Sequence, residues 1–358
     1  MIKSIALDND PSALYKRNRK KCFAIIAFLC VIVPLFIIFS SALGVMKLSP
    51  FQIARIVFAK ITSNGAALSA FNPGEIAVIW ELRIPRLLCA AFAGSGLAVS
   101  GVIFQSILQN PLADPYTLGI STGAAFGASI AILFNVIFRL ALPSPVFALL
   151  FAALTLAVVL LIAERGSGLE SSNLIMAGII VSAVLQAGIS FIKMISGENV
   201  GAIVFWLMGS LAARSWNDVL ILAPAVSAAL IPAIIFSQDL NILSLGSRSA
   251  QSMGLNVQRA RILYLLLGAI ITACCVSVCG IIGFVGLVVP HLLRFTLTSD
   301  NRLLLPLSAL SGALLLTAAD NCVRLLSKGE IPVGVLTTLL GGPFFIYIFL
   351  RKFKRIAS

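Results

Sequence analysis

Long apolar runs follow one another along almost the whole chain, separated by short polar or Gly- and Pro-marked breaks. They occupy residues 22–43, 85–106, 116–136, 144–163, 173–194, 217–236, 260–280, 284–298, 303–325 and 334–350. Roughly 20 apolar residues carry a helix across a bilayer, so the pattern predicts an all-α polytopic membrane protein with about ten transmembrane helices. No intervening stretch is long enough to fold alone. The chain therefore reads as one membrane domain, 22–350, between a basic N-terminal tail, 1–21, and a basic C-terminal tail, 351–358. The first run exceeds the ~7–15-residue core of a signal peptide, and no small-residue cleavage site follows it. It reads as a retained first helix. Residues 44–84 are mixed and predict an external loop with an amphipathic helix near 49–61. The run 199–213 is apolar but short, and reads as a helix lying partly in the external face.

Composition sharpens this picture. The chain of 358 residues is 59% hydrophobic and 11% charged, with a mean hydropathy of +1.06. Soluble domains are about 25% charged, so a soluble enzyme and a disordered chain are both excluded. The net charge of +13 would suggest nucleic acid in a soluble protein. Here it reads as cytoplasmic loops and tails facing a lipid bilayer, with no nucleic-acid partner. Alternation from a cytoplasmic N-terminus places about 16 of the 26 basic residues inside, which supports cytoplasmic N- and C-termini.

Catalytic chemistry is sparse. Seven cysteines lie in or at the ends of apolar runs without a CxxC pair, and read as small hydrophobes. One histidine, His291, cannot by itself build a metal site. Gly96 and Gly101 have the glycine spacing of a phosphate-binding loop, but Val102 follows where lysine is required. Neither enzymatic activity nor a cofactor is expected, and transport energy would come from an ion gradient or a separate ATPase. Most acids fall in loops or at span ends. Asp320 is the exception, within the ninth run and four residues before Arg324. It reads as a structural pair on one helix face or, alternatively, as the intramembrane acid of an ion-coupled secondary transporter. Gly119, Gly123 and Gly127 form a small-residue stripe suited to close helix packing. The polar break at about 239–259, with Leu245, Met253 and Leu255 spaced through it and Gly246 and Gly254 able to end short helices, reads as a docking surface or an ordinary amphipathic loop.

Several motifs, taken together and in order, resemble a known family. They are Arg83-Ile-Pro-Arg86-Leu, Gly101-Val-Ile-Phe-Gln105, Asn110-Pro-Leu-Ala-Asp-Pro115, Leu118-Gly-Ile-Ser-Thr-Gly123-Ala, Gly283-Phe-Val-Gly-Leu-Val-Val-Pro-His-Leu-Leu-Arg294, Ala319-Asp320 and Ile331-Pro-Val-Gly-Val-Leu-Thr-Thr-Leu-Leu-Gly-Gly-Pro343. The chain is similar from about residue 22 onward to the FecCD or BtuC-like permeases of ABC importers, which carry iron-siderophores, haem or cobalamin. The resemblance implies a BtuC-like type II importer fold in a prokaryotic cytoplasmic (inner) membrane. It implies a second permease subunit, identical or homologous, two cytoplasmic ATPase subunits and an external substrate-binding protein. Arg83, Arg86 and Arg324 match arginines that dock the binding protein. Asn110, Leu112, Ser171 and Ser172 match a cytoplasmic gate. Leu245, Ala250, Gly254 and Leu255 match the element that couples to the ATPase. His291 matches a Pro-His pair and reads as structural.

Overall fold

The computed structural model describes residues 11–44, 48–63, 65–326 and 331–356. Expectations that fall on residues 1–10, Lys47, Glu330 and 357–358 lie outside them. Helix α1 (Pro11–Ala42) and the amphipathic α2 (Pro50–Ile61) precede α3 (Ile84–Ile107). The chain enters α3 through a helical turn at Pro73–Ala77 and a π-helical turn at Val78–Arg83. Next come α4 (Ile120–Phe138), α5 (Ser144–Ser167) and α6 (Ser171–Ile195). The short α7 (Val200–Leu207) leads to α8 (Trp216–Ile235). Two short helices, α9 (Ser237–Leu243) and α10 (Ser247–Ser252), connect to α11 (Val257–Cys279). The chain ends with α12 (Val285–Thr296), α13 (Asn301–Leu326) and α14 (Val333–Ile356).

Among the described residues, 8 helices are long and apolar enough to cross a membrane, and two shorter apolar helices, Val285–Thr296 and Val333–Ile346, fill the remaining expected places. Three boundaries differ from the sequence expectation, the first being the C-terminal tail from 351, which continues α14 as helix to Ile356 because no glycine or proline interrupts it. The basic run 16–21, read as tail, is helical, because no glycine or proline interrupts residues 12–33 and Lys and Arg are good helix formers. The third span starts at Ile120 rather than 116, because Gly119 adopts a left-handed φ of 74° that sets the helix start. The expected amphipathic helix is α2. Its Ser49 hydroxyl accepts from Gln52 N while Gln52 reaches back to Ser49 N, which satisfies two donors left open at the helix start.

The core is built around α3. Of its apolar window, 89% is buried, against 6% for α1. Lipid is as apolar as leucine, so helix association in a membrane depends on close packing. Helix α3 meets this with Ala, Gly and Ser along its length. A Cβ on Gly94 would lie 2.2 Å from the Gly312 carbonyl of α13, and one on Gly101 would lie 1.8 Å from that of Gly286 in α12. Of the expected glycine stripe, Gly123 and Gly127 do the same against α5, where a Cβ would lie 2.1 Å from Thr155 Oγ1 and 2.4 Å from the Phe147 carbonyl; Gly119 precedes α4, and a Cβ there would lie 2.7 Å from Ser182 Oγ of α6. Outward faces of α1, α5, α6 and α8 expose large apolar side chains, among them Phe28, Leu154, Ile180 and Leu220, as contact with hydrocarbon requires.

Candidate functional site

At about 1.5 Å per residue, α3 holds Arg86 and its last residue, Ile107, about 30 Å apart. Polar clusters form at both ends. Helix α13 runs the opposite way, with Asp320 and Arg324 beside Arg86, and Asn301 beside Ser106.

At the Arg86 end, three arginines converge. Arg86 donates through Nε to both oxygens of Asp320 (3.1 and 3.0 Å) and through Nη2 to Oδ1 (2.8 Å). Arg324 Nε lies 3.6 Å from Asp320 Oδ2, the i,i+4 pair expected from the sequence. The Asp320 side chain is fully buried, whereas Arg86 and Arg324 keep 19% and 15% exposure. Arg324 Nη2 also donates to the Ser40 carbonyl (2.9 Å) and to Asn321 Oδ1 (2.6 Å). Asn321 Nδ2 donates to Ser40 Oγ (2.6 Å), and Arg83 Nη1 to the Ser41 carbonyl (2.6 Å). The last carbonyls of α1 have no helical partner. They receive cationic donors here, where the helix dipole also favours positive charge. The family resemblance implies exposed docking arginines. Instead Arg83 is buried, and all three are engaged within the chain. The π-helical turn carries Arg83 into the interior. No local signal marks the Arg86–Asp320 pair, whose partners are 234 residues apart.

At the other end, Asn110 Oδ1 accepts from Leu112 N (2.9 Å) and shapes a turn that leaves Leu112 half exposed. Ser171 Oγ donates to the carbonyl of Ile107 at the end of α3, three residues before Asn110 (3.1 Å); Ser172 is exposed and outside this contact. On the α9–α10 element, Leu245 and Met253 are 62% and 59% exposed. Gly254 has φ +84°. The Leu255 N–H donates to the Ala250 carbonyl, and that of Gly254 to Gln251, a Schellman ending that favours glycine. Leu255 is half-buried against the core. Ala250, which the resemblance places beside these residues, is fully buried. Its methyl points under α10, so it supports the surface without forming it. His291 packs its ring 5.6 Å from that of Phe345.

Asp300, just before α13, ties this end to α1. It accepts from Arg302 Nε (3.1 Å), from Asn241 Nδ2 of α9 (2.8 Å) and from the Tyr15 hydroxyl (3.1 Å). Burial by itself raises the Asp300 carboxyl. Hydrogen bonds from Arg302 and Asn241 and the Arg302 charge outweigh burial and hold the carboxyl below its ordinary value of 3.8. A depressed carboxylate stabilises the fold above its unfolded pKa, and the contribution is lost as pH falls through the folded pKa. Asp300→Asn should therefore melt earlier than wild type at pH 7. The gap should begin to close only below about pH 3.8, as thermal unfolding of the detergent-solubilised protein across pH will report. A gap that closes near neutrality would remove Asp300 from this role.

A cavity of about 620 Å³ lies where α11 breaks into α12, lined among others by Asp114, Tyr116, Phe284, Gly334 and Thr338. Burial raises the Asp114 carboxyl, against hydrogen bonds from Thr117 Oγ1 and from the backbone N–H groups of Tyr116 and Thr117. The Tyr116 hydroxyl donates to the Ile282 carbonyl (2.5 Å), fixing the turn after α3 to the α11–α12 break.

The profile of the FecCD transport family matches residues 28–351. The chain is 37% identical over 279 residues to the hemin transport system permease protein HmuU of Yersinia pestis, covering 76% of this chain and 84% of that one. It is 39% identical over 289 residues to the vitamin B12 import system permease protein BtuC of Vibrio cholerae, covering 79% and 86%. A solved inward-facing conformation of a metal-chelate type ABC transporter superimposes with a TM-score of 0.79 at 32% identity, covering 92% of this chain and 99% of that one.

Proposed function

The chain belongs to the FecCD transport family, and from that premise we propose that it is the permease subunit of an ABC importer that carries an iron chelate, haem or a cobalamin inward. It works beside a second permease, identical or homologous, in a prokaryotic cytoplasmic membrane, with both termini on the cytoplasmic side. Two cytoplasmic ATPase subunits drive it, and an external binding protein delivers the cargo. The sequence has no phosphate-binding loop of its own, so ATP acts by binding to the partners. They in turn favour one of two permease conformations by differential affinity. The permease makes and breaks no covalent bonds.

The observation that carries this reading is the α9–α10 element, with Leu245 and Met253 exposed at the end of the bundle where the gate segments Asn110–Leu112 and Ser171 also lie. It fits an ATPase surface with apolar recesses. The ion-coupled alternative needs an acid free to take up an ion, and Asp320 is already held by Arg86 and Arg324.

The arginine cluster at the far end suits docking of the binding protein. Arg86 and Arg324 share one buried aspartate there, with Arg83 close by on the Ser41 carbonyl, so acids on the partner would complete the neutralisation. Arg324→Gln keeps a donor for the Ser40 carbonyl while removing charge. It should weaken affinity for the cognate binding protein about tenfold, or ~1.4 kcal/mol, and flatten the salt dependence of the on-rate. Surface-based binding at several ionic strengths measures both, and unchanged affinity would remove Arg324 from the docking face. The function itself is tested by uptake in cells with and without the gene. The probes are labelled iron supplied as several siderophores and as haem, with labelled cobalamin in parallel. Loss of one cargo names it. ATP-independent uptake driven by an ion gradient would overturn the importer reading.

A further inference from the structure

A closed ring of hydrogen bonds joins the α9–α10 element to both gate segments. Gln109, the residue before Asn110, has a left-handed φ of 51° and donates through Nε2 to the carbonyl of Leu243, the last residue of α9 (3.1 Å). A tight turn follows, with the Gly246 N–H donating to Leu243 O (3.1 Å), and α10 begins at Ser247. Arg261 of α11 donates through Nη2 to Ser247 Oγ (3.1 Å) and through Nη1 to the Leu169 carbonyl. Two residues on, Ser171 returns the chain of contacts to Ile107, two residues before Gln109.

Arg261 is the unusual member. It is 4% exposed. Its two partners are a hydroxyl and a backbone carbonyl, its Nε has no hydrogen-bond partner, and Glu170 supplies negative charge nearby without an ion pair. A buried charge held this way is a poor device for stability, since an apolar residue would avoid the desolvation cost. It is a good device for fixing a distance. The planar guanidinium presents rigid donors in different directions, whereas a lysine ammonium is a single point on a flexible stem. Arg261 thus sets the separation between Ser247, at the start of α10, and Leu169, beside the gate segment.

We infer that Arg261 is the positioning residue that passes movement of the α9–α10 element to the gate segment at Leu169–Ser171, with Gln109 as the second link to the Asn110 turn. This inference rests on the proposed role of α9–α10 as the ATPase-docking element. Cutting the link should leave ATP hydrolysis running while the gate no longer follows it.

The test uses the full importer in proteoliposomes with Arg261→Lys, which keeps the charge but cannot span both acceptors, and Ser247→Ala, which lies outside the spans. Radio-iron as haem and as hydroxamate chelates, together with labelled cobalamin, reports uptake; phosphate release reports ATPase rate. Both variants should raise ATP consumed per cargo about tenfold, within the range usual for coupling between sites. The double variant should be no worse than either single one, and Ser247→Thr should restore the wild-type ratio. An unchanged ratio, whether both rates persist or both fall together, overturns the inference. Amide hydrogen exchange supplies a reading free of cargo: Ser247→Ala should speed exchange at residues 168–173, and unchanged exchange there also overturns it. Wild-type protein that imports none of the probes with ATP refutes the importer reading instead, and the exchange measurement then still tests the link.

Discussion

Asp320→Asn should sharply lower the yield of folded permease, and this is one of the two largest effects expected of a single substitution. The Asp320 side chain has no exposure, and Arg86 and Arg324 both point charge at it. Removing one partner of a buried ion pair costs about 3–5 kcal/mol, because the other charge is left uncompensated. Whole-protein stabilities are only about 5–15 kcal/mol. Here two guanidinium groups would be stranded, close to a third from Arg83 that is itself tied to α1 through Ser41. Size-exclusion yield and thermal unfolding in detergent measure the loss. Adding Arg86→Gln to Asp320→Asn should recover part of it, since contacting residues are not additive. A fully stable, transport-dead Asp320→Asn protein would instead indicate an ion-binding acid and revive the secondary-transporter reading.

The second large effect belongs to the crossing of α3 with its neighbours. Gly94 and Gly312 approach reciprocally: a Cβ on either would lie 2.2 or 2.3 Å from the other's carbonyl oxygen. Backbone atoms cannot rotate away as a side chain can. Gly94→Val or Gly101→Val should therefore cost at least the ~1–3 kcal/mol of ordinary overpacking, and should separate α3 from α13 or α12. Gly201→Ala in α7 is the control, because nothing lies within 4 Å of its Cβ position and alanine favours helix over glycine by about 1 kcal/mol. Comparison of melting temperatures separates crowding from a general intolerance of substitution. Equal stability of Gly94→Val and wild type would show that the helices do not cross there.

Local patterns were readable wherever a feature depends on neighbouring residues. The apolar runs marked the spans, and the Asp320–Arg324 spacing predicted a real contact. The stripe Gly123–Gly127 faces α5. Leu245 and Met253 are exposed on the element where the polar break placed them. Other features depended on residues far apart in the chain. Arg86 reaches Asp320 across 234 positions, and Arg261 reaches Leu169 across 92. Arg83 looked like a charged helix flank, yet the π-helical turn buries it. Ala250 looked like part of a surface, yet its methyl faces the core.

The sequence alone determined the membrane-spanning class, the number and order of the apolar helices, and the family. Transfer of apolar length into a bilayer is a property of each segment, and the family motifs are contiguous strings. Only the tertiary structure decided which charges are neutralised, which glycines lie at helix crossings, and which side chains bridge α9 and α10 to the segments at Gln109 and Leu169. Burial of a charge is tolerable only with partners in place, and those partners come from segments brought together by packing around α3.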